Sequence, residues 1–287
     1  MSQFVCLMYH NVCRADQLGS GGPFAMLGPS IRSYSVTTGQ FDEHIGAIDE
    51  ERWMDPEELR RGPIADDRKP RVLITFDDGW AGSINEAGPI LADAGVRTIL
   101  FVTTGLIGHP LFATERMLRD LPSEVFEIGA HTVTHPFLAE CSTEQIAREL
   151  RDSRTELEEI VGRTVDTMSI PNGSLDERVM QIAAECGYSF VFTSETHVNN
   201  GALDMTAIGR VAVRSTTTCE QLVRWCDGQL GGAGWRRRAL EVPRRALGPD
   251  RYRRLRAWAL GEGRNDDDMA ELLASHRRSS QKLVSTV

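Results

Sequence analysis

Short apolar runs separated by stretches of helical periodicity organise most of the chain. Residues 4–8, 72–76, 98–102, 125–128, 165–170, 190–192 and 208–213 are runs of the length and character of buried strands. Between them the apolar period lengthens. Residues 38–48 place Phe41, Ile45 and Ile48 on one helical face, and a second helix over 84–94 closes at Gly95. Ser142-Thr143-Glu144-Gln145 is a capping box opening a long helix that buries Ile146, Leu150, Leu157, Ile160 and Val161 and stops at Gly162. Ser174-Leu175-Asp176-Glu177 opens another, carrying Val179, Ile182 and Ala183 inward and ending at Gly187. Strand and helix in alternation imply a mostly parallel sheet with crossover helices. About seven strands suggest a closed or nearly closed α/β barrel, with an open sheet as the alternative.

Two segments break this rhythm. Residues 14–35 are rich in Gly, Ser and Pro and too long for an ordinary connection, which marks a lid or active-site loop. Residues 55–70 are polar and read as surface. Beyond Thr216 the character changes, so the chain divides into a catalytic domain over 1–216 and a basic, partly helical extension over 217–287. Within the extension, residues 235–258 interleave arginines with Trp235, Leu240, Val242, Leu247, Tyr252, Leu255 and Trp258. Such a stretch fits a solvated appendage, a surface meeting anionic lipid, or a dock for an acidic partner. Pro243 and Pro249 divide it into short pieces.

Composition narrows the classes. A formal net charge of −9 over 287 residues argues against nucleic-acid binding as the main role. Six scattered cysteines without a C-x-x-C pair fit a reducing compartment. The chain enters a strand directly after Met1-Ser2-Gln3, with no leader pattern and no membrane-length apolar run, which suggests the cytoplasm.

The candidate chemistry sits where strands end. The run 72–76 stops in Asp77-Asp78-Gly79, and side chains adjacent at a strand end point apart, so the two carboxylates need not share a task. His131 and His135 follow the strand over 125–128; four residues apart, they would lie on one side of a helical turn and could reach one ion. If both strands share a sheet, one carboxylate and two imidazoles form a three-ligand site with open positions, and the second acid is free to act as base.

Taken together, Thr75-Phe76-Asp77-Asp78-Gly79 and His131-Thr132-Val133-Thr134-His135 resemble the NodB-homology polysaccharide deacetylases, carbohydrate esterase family 4. The resemblance runs over roughly residues 4–215. Pro171-Asn172-Gly173 is similar to the family's third motif, Glu185-Cys186-Gly187-Tyr188 to the following helix end, and Gly209-Arg210-Val211 to its late arginine strand. Leu7-Met8-Tyr9-His10 resembles the opening of a permuted branch. The implied fold is a distorted (β/α) barrel of about seven parallel strands. The implied metal ligands are Asp78, His131 and His135, holding one divalent ion, usually zinc, with nickel or cobalt as alternatives. Asp77 is the implied general base, which takes a proton from water acidified from about 15.7 towards 7. A backbone N–H near Asn172 and Pro171 would help hold the oxyanion. The permuted branch implies His10 as the acid for the leaving amine, with His197 a lesser candidate.

Two departures from the family pattern matter. Ser169 stands where the family often has an arginine that orients the base, which makes Arg210 the substitute candidate. Asn172 stands where an aromatic residue often follows the proline, so Trp80 is the candidate for stacking on a sugar. The resulting reading is a metal-dependent amidase that removes an N-acetyl group from an amino sugar on a small, nucleotide-linked or lipid-linked glycoside. Peripheral membrane contact would run through residues 235–258. Hydrolysis of a cyclic amide or ureide, and a non-catalytic metal- or carbohydrate-binding scaffold, are the alternatives.

Overall fold

Alternate residues of the first strand serve two different cores. In β1 (Gln3–Tyr9), Val5, Leu7 and Tyr9 join one buried cluster while Phe4 and Cys6 join another, as the two-residue period of a strand requires. The computed structural model describes residues 3–18, 24, 27–61, 68–200, 207–231 and 268–284. After β1 come β2 (Asn11–Cys13), α1 (Pro29–Ser33), β3 (Ser35–Thr37), α2 (Thr38–Gly46), α3 (Glu58–Arg61) and β4 (Arg71–Phe76). Next are α4 (Ala81–Asn85), α5 (Ala87–Asp93), β5 (Thr98–Val102), α6 (Glu115–Arg119), β6 (Phe126–Ala130), α7 (Thr143–Val161) and β7 (Thr167–Ser169). Then α8 (Glu177–Glu185), β8 (Phe190–Phe192), β9 (Asn199–Asn200), β10 (Val211–Ala212), α9 (Cys219–Cys226) and α10 (Asp268–Val284) complete the described elements.

The main sheet runs β10-β1-β4-β5-β6-β7-β8, with every neighbouring pair parallel and β9 antiparallel on β1. Ile208, just before β10, makes a parallel bridge to Phe192 of β8, and Val211 pairs with Leu7 of β1. One short segment thus touches both edges, and the sheet curls into the distorted (β/α) barrel expected from the sequence. Phe4, Cys6, Leu73, Ile99, Phe101, Phe190, Phe192 and Ile208 fill its interior. The opposite faces pack under the helices, against Phe41, Leu91, Leu150, Leu157 and Val179 among others.

Several expectations need correction. The helix over 84–94 is two helices, α4 and α5, because Pro89 has no N–H to give the Asn85 carbonyl and its ring crowds that turn. The 55–70 segment is not simply surface. Leu59 is buried in the barrel core, and Arg60 forms a fork on Glu127 (3.0 and 2.8 Å) and a further bond to Asp166 (3.1 Å). That places α3 across the amino end of the barrel. The strands that bracket the 14–35 segment pair as the parallel β2–β3 ladder, too short to show a period in sequence.

Among the described residues, two helices lie past residue 216, and both bury side chains against the preceding fold. In α9, Leu222, Trp225 and Cys226 are buried, and Arg52 donates to the Cys226 carbonyl at 2.6 Å. In α10, Leu273 enters a cluster with Cys13, Phe24, Trp80, Leu106 and Phe112. The arginine-rich segment 235–258 lies outside the described residues. Among those described, no helix is long and apolar enough to cross a membrane.

The barrel interior leaves no room at Gly129, where an added Cβ would lie closer than 3.0 Å to the Phe101 ring and 2.7 Å from the Thr167 hydroxyl. Gly129→Ala is expected to destabilise by about 2–3 kcal/mol through overpacking, read as the midpoint shift in urea unfolding. Gly39→Ala, facing open space in α2, should be neutral or stabilising by up to about 1 kcal/mol. Equal effects at the two positions would contradict this packing.

Candidate metal centre and active site

The backbone is unusual at one place. Among the described residues, the non-glycine positions with positive φ are Asp78 (74°), Thr132 (66°), His135 (54°) and Asn172 (55°). All four follow the carboxyl ends of β4, β6 and β7, neighbours or near neighbours in the sheet. Each left-handed residue costs on the order of 1–3 kcal/mol and persists only where its surroundings over-determine it. Such strain collected at one mouth of a parallel barrel marks the place where function is built.

Asp77 and Asp78 leave β4 in different directions, and the pleat gives them different partners. Asp77 faces into the barrel mouth and meets Arg210, whose guanidinium forms a two-pronged pair at 2.6 and 2.8 Å. Arg210 is fully buried, with its guanidinium over the Phe101 and Phe192 rings (5.5 and 5.9 Å) and its Nε donating to the Thr193 carbonyl. Ser169 adds a hydroxyl to Asp77 at 3.3 Å. Asp77 is thus held by an arginine immediately before β10, across the seam of the barrel, and by the hydroxyl of Ser169 from the end of β7.

Asp78 takes the left-handed turn. Oδ2 accepts from the Trp80 indole at 3.0 Å, while Oδ1 is buried without a hydrogen-bond partner. His131 Nε2 and His135 Nε2 both approach that oxygen, at 3.4 and 3.5 Å. His131 is oriented from behind, its Nδ1 on the Ser169 carbonyl at 3.0 Å and also touching the Ser169 hydroxyl. Ligand atoms from Asp78, His131 and His135 lie within 4.8 Å of one another. A lone buried carboxylate oxygen facing two imidazole nitrogens is costly without a cation, and one carboxylate with two histidines is a donor set that divalent zinc, cobalt or nickel accepts. These residues fit a metal.

The electrostatics agree. Burial alone pushes both carboxyls up, and it is the largest influence on each. At Asp77 it is outweighed by Arg210, His131 and His10, and at Asp78 by His131, His10 and His135, so both stay ionised below the usual carboxylate range. Burial depresses His135 to about 4, with His131 adding to the effect and Asp78 opposing it. His131 is likewise depressed by burial, but Asp77 and Asp78 overcome this and raise it. The pull these carboxylates exert on the His131 proton is the pull a cation at the same point would feel.

Other expected residues are placed as follows. His131 and His135 do not share a helical turn. Residues 131–137 form an irregular loop in which left-handed Thr132 and His135 fold the second ring back to 4.9 Å from the first. Trp80 cannot stack on a sugar; it is 1 % exposed, packed on Phe112 at 4.2 Å and near Phe24, and its role is to hold Asp78. A buried indole N–H needs an acceptor, and that rule applied to a tryptophan two residues past Asp78 could have found the pairing. His10 lies against Tyr34 at 4.3 Å with a buried, unpartnered Nδ1 and feels the charges of both aspartates; burial holds its pKa below the ordinary value. His197 packs against Gly209, the residue before Arg210. Pro171 is buried, and Asn172 begins the left-handed turn beyond β7.

A parallel barrel thus brings a carboxylate and two imidazoles that could hold a metal beside a second, arginine-held acid. Residues 65–191 match the sequence profile of the polysaccharide deacetylases. The chain is 26 % identical over 212 residues to YxkH of Bacillus subtilis, a protein provisionally named a polysaccharide deacetylase, covering 72 % of this chain and 70 % of that one. It is 28 % identical over 170 residues to chitin deacetylase 1 of Cryptococcus neoformans, covering 58 % of this chain but 35 % of that longer protein. The fold matches the Streptococcus pyogenes deacetylase PplD, solved with acetate, at a TM-score of 0.65 and 23 % identity over 77 % of this chain and 97 % of that one. A polysaccharide deacetylase from Bacillus cereus matches at 0.65 and 21 % identity over 78 % and 69 %.

Because Asp77 and Arg210 are 4 % and 0 % exposed, Arg210→Met strands a buried charge and should destabilise by about 3–5 kcal/mol. Adding Asp77→Asn to that variant should recover most of the loss in chemical denaturation. Strictly additive losses would refute the pairing.

Proposed function

We propose that this protein hydrolyses the N-acetyl amide of an amino sugar within a catalytic unit formed by residues 1–216 with α9 and α10 packed on it. The observation that carries the proposal is the separation of the two carboxylates: Asp77 clasped by Arg210, and Asp78 left with an orphaned oxygen facing His131 and His135. Similarity to a chitin deacetylase and to the peptidoglycan-N-acetylmuramic acid deacetylase PdaA of Bacillus subtilis supports an N-acetylated sugar as substrate.

Asp78, His131 and His135 would hold a divalent metal, zinc or alternatively nickel or cobalt, which supplies Lewis acidity at that point. Asp77 acts as general base. Arg210 occupies both of its oxygens from one side, so the carboxylate is fixed in place and stays ionised to take a proton from the attacking water. His10, with its buried Nδ1 unpaired, relays to the leaving amine the proton that Asp77 has taken from water, so that Asp77 and His10 both return to their starting states. A backbone N–H at the Asn172 turn, braced by buried Pro171, donates to the oxygen that gains charge. Arg214 lies over the Tyr34 ring at 4.4 Å, and Tyr34 in turn stacks on His10. Positive charge one ring away from the acid favours a glycoside with an anionic carrier, such as a nucleotide or lipid phosphate.

The test is acetate release by zinc-loaded protein from a nucleotide-linked N-acetylhexosamine, a lipid-linked one and neutral chitin oligosaccharides. Asp77→Asn should lower kcat/KM by about 10²–10⁴-fold. Arg214→Gln should raise KM for the phosphate-bearing glycosides and leave the neutral oligosaccharides unchanged. No acetate from any conjugate would sink the proposal, and equal turnover of all three by both proteins would remove the anionic carrier from it.

A further inference from the structure

The loop that brings His131 and His135 together has no regular secondary structure to hold it, and it carries two of the four left-handed non-glycine residues described. Something outside the loop must fix that shape. On α7, Glu149 turns its carboxylate towards the loop. Oε2 accepts from the backbone N–H groups of Val133 and Thr134, both at 2.8 Å, and Oε1 accepts from the Thr134 hydroxyl at 2.6 Å. These three donors lie between the two histidines. Inside the loop, the His135 N–H is held by the Thr132 hydroxyl at 3.0 Å. On the other side, the Val133 carbonyl accepts from Gly105 at 2.9 Å, where an added Cβ would collide with that same carbonyl.

We propose that Glu149 is a positioning residue for the metal centre: its carboxylate pins the Val133–Thr134 peptides so that both Nε2 atoms converge on Asp78. This rests on the reading of Asp78, His131 and His135 as metal ligands. Glu149 touches neither metal nor substrate; it acts through the loop. The anchor itself is stiff. The helix beneath it is capped at Ser142, and Leu150, the next residue, is fully buried in the core. A carboxylate suits the task because it is acceptor-only and can serve three donors at once. Gln keeps one acceptor oxygen, and Ala keeps none.

Zinc affinity of the apo full-length protein, measured by competition with a chromogenic chelator, tests the proposal. Glu149→Ala should weaken zinc binding about 10–100-fold, the range for residues that orient metal ligands from outside. Glu149→Gln should fall between Ala and wild type, and the cobalt-loaded Ala variant should show an altered d–d spectrum. Apo melting temperatures are measured in parallel. Should Ala fail to fold, Glu149→Gln and Thr134→Val, which removes one of the three bonds, carry the same test and should each weaken binding several-fold. Zinc affinity and cobalt spectrum unchanged in every folded variant would overturn the role of Glu149. A wild-type protein that binds no zinc would instead overturn the metal reading beneath it.

Discussion

Two adjacent carboxylates are buried at the end of one strand, and among the described residues a permanent positive partner reaches only one of them. That constraint accounts for much of the rest. Arg210 must reach Asp77 from the far side of the barrel seam, so the last strand has to close against both β1 and β8. Its guanidinium then fills the upper barrel above Phe101 and Phe192, where an aliphatic side chain would otherwise complete the core. Removing two charges from water costs several kcal/mol each, and only near-ideal geometry offsets it. The two-pronged pair at 2.6 and 2.8 Å is geometry of that kind.

Asp78 keeps one oxygen that no described residue satisfies. A tryptophan N–H satisfies one oxygen, and two imidazoles surround the other without bonding it well. The local backbone is strained on three sides to produce this arrangement, with left-handed residues in the loops after β4, β6 and β7. A cation is the simplest object that repays both the strain and the orphaned oxygen. Separation of tasks follows: the arginine-bound acid stays ionised and cannot also wrap a metal, while its neighbour faces the imidazoles.

Much of this was legible in the sequence, and the gaps have physical causes. The strands were visible because a parallel barrel covered by helices makes each of them continuously apolar, and the Asp-Asp-Gly and H-x-x-x-H stretches each follow such a run. Arg210 could be nominated because Ser169 stands where the resembled family often has the arginine that orients the base. What sequence could not convey was conformation. Four-residue spacing suggests a helical turn, yet His131 and His135 meet through left-handed Thr132 and His135. Trp80 looked free to stack on a sugar, because nothing local shows that Phe24, Phe112 and a leucine from α10, nearly two hundred residues away, enclose it. In sequence nothing sets Glu149 apart from the other acids of α7; only tertiary structure turns it towards the histidine loop.

The most direct test of the central claim is anomalous scattering from a zinc-soaked crystal. The account predicts a single strong peak about 2.0–2.2 Å from an Asp78 oxygen and from Nε2 of His131 and His135, with Asp77 still paired to Arg210 and outside the coordination shell. A peak bonded to Asp77, or no peak at this site at full zinc occupancy elsewhere, would contradict it.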